Sequence, residues 1–566
     1  MVIIFYHTAS KVNHRDWRTG PPALAARDFA TARALSLMRL YHVDVVSDAV
    51  LRGPLDSIRT RSGSSGVYVR DCVTEAGSDD TKRRDRAAQT MKTRAIPWRY
   101  ASAVAALSLA LLNAPLQAQP GFPPNDPDSW RTAGTAKIFC SALFVSGREL
   151  PEVRAHLTSY FLGALADSIS DIHVDRERKL VRLTVAKRIT REAKYYGDQG
   201  CIIHQPGMDT IYFAPVKVTS ALAPASTLAW PMGDIMPGEP LPAGVDSSGL
   251  RRAVDAAFAA PEGLTAAFLV VHKGRIIAER YGNGANAQMP LESWSMGKSI
   301  VGTLIGRLIN DGAFALEDPA PIGEWHKTPS DPRGKIRIMD LMRMSSGLRF
   351  SRGAPEDLPG YHDHDLGYSG AIDAAQFAIT RPLQFAPNTV GRYRNTDPFA
   401  LGYIVRETVR GRGEEYLAYP TQALFDKLGM RGQMLETDPY GNFLITGYDY
   451  GTARNWARLG MLYLNDGVWL GERLLPEGFV KFVSTPAPAW KAPVYGGMVW
   501  VNGDSAWSLP RDAYAFRGAG EQDVFIVPSH DLVIVRMGHF PGARWGFEDV
   551  KRAQALLMEA IPRSRR

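Results

Sequence analysis

Residues 293–300 read SWSMGKSI, and within them Ser295, Met296, Gly297 and Lys298 form an S-x-x-K tetrad. A serine hydroxyl is a poor nucleophile until a neighbouring base takes its proton. A lysine three residues further on lies one turn away on the same helix face and can be that base once it has lost its own proton. Ile300, Val301, Leu304, Ile305, Leu308 and Ile309 follow as an apolar stripe at helical spacing, with Asp311-Gly312 as a stop. Ser295 is therefore expected at a helix start, where unpaired N–H groups and the positive end of the peptide dipoles favour an oxyanion. Taken alone, S-x-x-K turns up by chance about once in a chain of this length and equally describes a capping serine beside a solvated lysine.

A second chemical group lies at 391–403, GRYRNTDPFALGY. Tyr393 and Asn395 form a Y-x-N triplet just before a helix expected to begin near Pro398. Tyr393 suits a base or proton relay, and the Asn395 amide suits orientation of a substrate carbonyl. Free lysine and tyrosine both hold their protons to about pH 10, so either works near neutrality only where burial and cationic neighbours favour the deprotonated form. His362-Asp363-His364-Asp365 resembles half of a metal site. The pattern it half matches needs another histidine at 367, where the chain has Gly367, so no metal is expected. The polar loop 360–370 is instead expected to border the cleft, with Tyr368 and Trp500 as cleft-lining aromatics whose bland alternative is packing. The chain has no G-x-S-x-G elbow and no H-E-x-x-H.

The order and company of these motifs resemble the serine β-lactamase-like hydrolases of the class C and penicillin-binding branch, and within it the 6-aminohexanoate-dimer hydrolases and related esterases. The likeness spans about 245–566 and includes IRIMDLMRMSSGL (336–348), YDYGTARNWARLGMLYLNDGVWLGERLLPEGFV (448–480) and DLVIVRMG (531–538). It implies that Ser295 is the acylated nucleophile, with Lys298 and Tyr393 handling its proton and Asn395 orienting the substrate. A third family element, a K-T-G or H-x-G triplet on a strand beside the serine, corresponds here to Phe516-Arg517-Gly518 within AFRGAGEQDVFIV (515–527). The usual Lys or His is missing, which argues against a true β-lactamase, and Arg517 is a candidate for a displaced cation, with a surface arginine as the alternative. Gly518 fits the family pattern. The resemblance also implies an oxyanion hole from the backbone N–H of Ser295 and of Ala519, and a reaction that needs neither metal nor organic cofactor.

The elements that must position these groups follow from periodicity. Ser247 or Ser248 is expected to cap a helix presenting Leu250, Val254 and Phe258 on one face. Runs at 266–271 and 275–281 flank Lys273-Gly274, and runs at 524–527 and 532–537 flank 528–531, which predicts two hairpins. A last helix is expected over about 547–561. Strands at both ends and helices between them predict an α/β (α+β) fold, one antiparallel sheet assembled from distant parts of the chain, flanked by helices and completed by a helical lobe. Residues 131–229 are expected to form a small N-terminal α+β domain, with a mixed segment at 139–145, a helix over 151–169 and a strand over 179–185. Residues 230–244, rich in proline and glycine, read as a linker.

The chain of 566 residues carries a net charge of +8, but residues 1–118 hold 17 of its 66 Lys and Arg and only 10 of its 58 Asp and Glu. The remainder is nearly neutral, which excludes a nucleic-acid or anionic-membrane binder built on overall charge. MKTRAIPWRY at 91–100, the apolar run 101–112 and NAPLQA at 113–118 describe a secretory signal peptide cut near Ala118, and the run is too short to span a bilayer. Residues 1–90 read as an upstream extension from a start codon placed too early; a cytoplasmic tail ahead of an anchor is the rival. Export leaves Cys140 and Cys201 as an even pair, expected to form a disulfide. The expectation is an exported, periplasmic or secreted enzyme without a stable membrane anchor, whose partner is a small-molecule amide or ester. The alternatives are a β-lactamase or D-amino-acid peptidase, or an inactive binding module on the same fold.

Overall fold

The computed structural model describes residues 126–351, 357, 363–370, 373–539 and 547–564. The expected extension with Cys72, the leader at 91–118 and His362 lie outside these residues. Helix α1 (Pro127–Phe144) starts where Asp126 accepts a hydrogen bond from Ser129 N and Pro127 occupies the first turn. It takes in 139–144 of the stretch 139–145 expected as a mixed segment, with Val145 as its C-cap. From Thr132 to Leu143 every residue of α1 is buried, so no amphipathic stripe marks it in the sequence. Helix α2 (Leu150–Leu162) is shorter than the expected 151–169. A 3-10 turn intervenes, and Ile169 already belongs to β1 (Ile169–Asp175). With β2 (Leu180–Val185), β3 (Ile189–Tyr195) and β4 (Cys201–Ile203) it forms a four-stranded antiparallel meander in sequence order. Cys140 of α1 and Cys201 of β4 are joined as a disulfide with their Cα atoms 6.0 Å apart.

Helix α3 (Ser247–Ala257) is capped by Asp246, one residue before the expected serines, through Ser248 N. Strands β5 (Thr265–His272) and β6 (Arg275–Tyr281) form the first expected hairpin. Its turn residues Lys273 and Gly274 both take left-handed φ, 51° and 75°, as a two-residue turn of type I′ demands. The chain then runs through β7 (Leu291–Glu292), α4 (Gly297–Asn310), α5 (Thr396–Gly411), β8 (Met434–Leu435), β9 (Asp449–Gly451) and α6 (Ala453–Leu464). It returns as β10 (Trp500–Val501), β11 (Tyr514–Gly518), β12 (Gln522–Val527), β13 (Leu532–Gly538) and α7 (Phe547–Ala560). The six-stranded sheet has the order β10-β11-β12-β13-β5-β6, antiparallel throughout. A small sheet, β7-β9-β8, leads through β7 into the segment of Ser295.

Period-two alternation divides the large sheet between two cores. Phe268, Val270, Phe525 and Ile534 pack against Leu250 of α3 and Val550 and Leu557 of α7. Leu269, Val271, Val524 and Val533 face the larger core shared with α4 and α6. Strands covered on both faces read as continuous apolar runs, which is why 524–527 and 532–537 stood out.

Residues 127–203 join that larger core. The described residues fall within one compact unit. Lys137 of α1 is fully buried and reaches Glu436 at 2.7 Å. Glu436 also accepts from Cys201 N and Ser141 Oγ, each at 2.7 Å. The expected linker is likewise anchored, because Arg458 of α6 donates to Pro231 O at 2.6 Å and to Gly233 O and Asp234 at 2.7 Å.

Candidate active site

Ser295 sits in a 3-10 turn (Trp294–Met296) that runs directly into α4. Trp294 is held at a φ of 51°, a conformation a bulky residue adopts only when its surroundings impose it. They do so here: Trp294 is buried, with Phe161 of α2 at 6.1 Å and Tyr448 at 6.2 Å between ring centres. This kink aims the half-buried Ser295 at the lysine one turn on. Lys298 Nζ donates to Ser295 Oγ at 3.1 Å and to the Thr446 carbonyl at 2.9 Å. Only 2% of Lys298 is exposed. Its ammonium also lies 4.8 Å from the centre of the Tyr393 ring, so serine, lysine and tyrosine, separate in sequence, converge. Trp500 stacks on Tyr393 at 5.4 Å, and Tyr495 meets it edge-on at 5.9 Å.

Strand β11 closes the other side. A Cβ on Gly518 would overlap the Ser293 carbonyl oxygen and come within 3.1 Å of Ser295 N, so the strand passes Ser295 at a distance only glycine permits. This places the start of the β11–β12 turn, which carries Ala519, beside Ser295. Gly518→Ala is expected to push β11 away from Ser295 and lower acylation on the order of 10²- to 10³-fold, as loss of an oxyanion donor does. Pre-steady-state ester kinetics measure this, and an unchanged rate would remove β11 from the site.

The remaining expected site residues are distributed differently. Asn395 is buried and its side-chain amide is 3.1 Å from His364 Nδ1, so it is engaged with a histidine that sequence reasoning had set aside. Tyr368 does not line the cleft. It is buried, with its hydroxyl donating to the Thr446 carbonyl at 2.7 Å. Arg517 is not a cation at the serine: alternation along β11 turns Phe516 and Gly518 to the Ser295 side and Arg517 to the opposite face. There Arg517 donates to Asp523 at 2.6 Å, against Trp507 and Phe525. Within the half metal pattern, Asp363 pairs with Arg381 at 3.1 Å and Asp365 with Arg131 at 3.0 Å.

Sequence reasoning also missed Asp449, which lies in the family-like stretch YDYG without any spacing that ties it to Ser295. It is fully buried under the start of α4 and accepts from Ser293 Oγ. Burial pushes its carboxyl up to about 8, although the Ser293 hydrogen bond and the Lys298 charge pull it down. An aspartate ionises near 3.8 in the unfolded chain, so between that pH and about 8 the folded state holds the extra proton, and this residue's contribution to stability falls as pH rises. Asp449→Asn is therefore expected to gain on the native protein by a few kcal/mol between about pH 4 and 8. Urea midpoints at several pH values check this; parallel curves for the two proteins would refute it.

The six-stranded antiparallel sheet, the S-x-x-K segment leading into α4 and the glycine strand against Ser295 are the features to set beside known proteins. The beta-lactamase family matches residues 250–557, and the chain belongs to that family. The 6-aminohexanoate-dimer hydrolase of Paenarthrobacter ureafaciens is 26% identical over 301 residues, covering 50% of this chain and 74% of that protein. The penicillin-binding protein homologue of Caulobacter crescentus is 14% identical, covering 56% of this chain and 97% of that one, with a TM-score of 0.45. The octameric penicillin-binding protein homologue of Pyrococcus abyssi is 15% identical, covering 56% and 78%, with a TM-score of 0.42.

Proposed function

We propose that this protein is an exported serine hydrolase that cleaves amide or ester bonds of small molecules through an acyl-enzyme on Ser295. The observation that carries the reading is the 3.1 Å contact between the buried Lys298 Nζ and Ser295 Oγ. That is proton-transfer distance for a general base. Lys298, as the neutral amine, takes the hydroxyl proton as Ser295 Oγ attacks the carbonyl carbon, and relays it to Tyr393 beside it. The oxyanion forms against the backbone N–H groups of Ser295 and Ala519. Tyr393 returns the proton to the leaving amine or alcohol, and a water molecule then releases the acid and restores the serine. Likeness to a 6-aminohexanoate-dimer hydrolase supports an amide as substrate. Export is supported by the leader pattern at 91–118 and by the Cys140–Cys201 disulfide, a bond that persists in oxidising compartments. Among the described residues, no helix is long and apolar enough to cross a membrane.

The test is a panel of linear 6-aminohexanoate dimer, short p-nitrophenyl esters, D-amino-acid peptides and nitrocefin, run on the secreted protein. Turnover of the dimer or the esters is the expected result. Nitrocefin as the best substrate would replace the reading with a β-lactamase, and no turnover of any compound would favour a binding module.

A further inference from the structure

We propose that Tyr368 is a positioning residue for Lys298 and that helix α1 is what holds Tyr368 in place, which gives the N-terminal segment a part in the chemistry. The proposal rests on the reading of Ser295 and Lys298 above.

The link is one carbonyl group. Thr446 O accepts the Lys298 ammonium at 2.9 Å and the Tyr368 hydroxyl at 2.7 Å. A peptide oxygen has two lone pairs, and these two donors occupy both. The peptide plane is thereby held from two sides, and with it the Nζ that stands 3.1 Å from Ser295 Oγ. The fit around the hydroxyl is tight, since a Cβ on Gly447 would lie 2.8 Å from it. The ring is set edge-on against His364 at 4.9 Å, Tyr448 at 5.2 Å and Phe399 at 6.0 Å. Without the hydroxyl the Thr446 carbonyl can turn, and the lysine loses one side of its anchor.

Tyr368 stands in a π-helical turn (Leu366–Gly370), a wide geometry that persists where packing imposes it and that recurs at functional sites. The packing comes from α1. A Cβ on Gly370 would lie 2.7 Å from the Trp130 ring, and one on Gly134 would lie 2.9 Å from Ser369 Oγ. Arg131 pairs with Asp365 just before the turn at 3.0 Å. Further along α1, Lys137 lies 4.6 Å over the ring of Tyr448, which in turn abuts Tyr368. The helix thus backs the turn that carries Tyr368.

The experiment uses the full chain and follows Ser295 acylation by a p-nitrophenyl ester before the steady state. Tyr368→Phe is expected to lower the acylation rate on the order of 10- to 100-fold, as a misplacement near 1 Å does, with KM and Tm close to native. In a Lys298→Met background the same substitution should change nothing, because the group it positions is gone. Trp130→Ala should lower acylation several-fold, and that effect should vanish when Tyr368 is already Phe; Trp130→Phe serves if the alanine variant does not fold. An unchanged rate in Tyr368→Phe, or its full effect persisting without Lys298, overturns the positioning role. A native rate in the Trp130 variants overturns the part assigned to α1. If Lys298→Met itself acylates at the native rate, the underlying reading of the site has failed, a result separate from both.

Discussion

Ser295→Ala is expected to abolish ester and amide hydrolysis, leaving no more than about 10⁻⁴ of native turnover, because removal of the nucleophile leaves only oxyanion stabilisation and binding. Lys298→Met is expected to cost about 10²- to 10⁴-fold, the range supplied by a general base in place. The geometry sets this order. The hydroxyl has its base at 3.1 Å, and that base is buried and bound on its other side by the Thr446 carbonyl. Intact-mass analysis after a fluorophosphonate, beside steady-state ester kinetics, reads both effects. One adduct on the native protein and none on Ser295→Ala is the expected pair of masses. Retention of more than about a hundredth of the turnover by Ser295→Ala would place the nucleophile elsewhere.

The second large effect is on stability. Lys137 and Glu436 are both fully buried and paired at 2.7 Å, with the ammonium also donating to the Cys201 carbonyl. Burial pulls the lysine towards its neutral form, and Glu436 opposes this. Such a pair adds little over an apolar contact of the same shape, but breaking it strands a charge. Lys137→Met should therefore destabilise the protein by about 3–5 kcal/mol. The double variant Lys137→Met, Glu436→Gln should lose less than the single one, since a neutral amide oxygen still accepts from Ser141 and Cys201. Guanidinium unfolding decides this. A single variant as stable as the native protein would mean that α1 is not coupled to the hydrolase core through this pair.

Local signals were legible where one short stretch carries the whole requirement. The β5–β6 hairpin is written in Lys273-Gly274 because both positions need left-handed φ, and α4 in its apolar stripe after Ser295. Signals failed where burial is complete. Helix α1 has no polar face to give it a period, and its extent is visible only against the sheet it packs on. What composition does not carry is how these segments are tied in: it marks Pro-rich stretches as punctuation, while Arg458 and Glu436 bind Pro231 and Cys201 from more than 200 residues away.

The same division holds at the site. The amino-acid sequence by itself set the spacings on which the proposed chemistry draws, Ser295 and Lys298 one helical turn apart and Tyr393 and Asn395 two residues apart, because spacing along the chain is a local property. It also determined the glycine at 518. Only the tertiary structure decided which way the other side chains face. Strand alternation sends Arg517 to Asp523, the π turn sends Tyr368 inward to Thr446, and Asp449 arrives under α4 from about 150 residues downstream. These placements depend on contacts between elements distant in the chain, and no window of sequence contains both partners of such a contact.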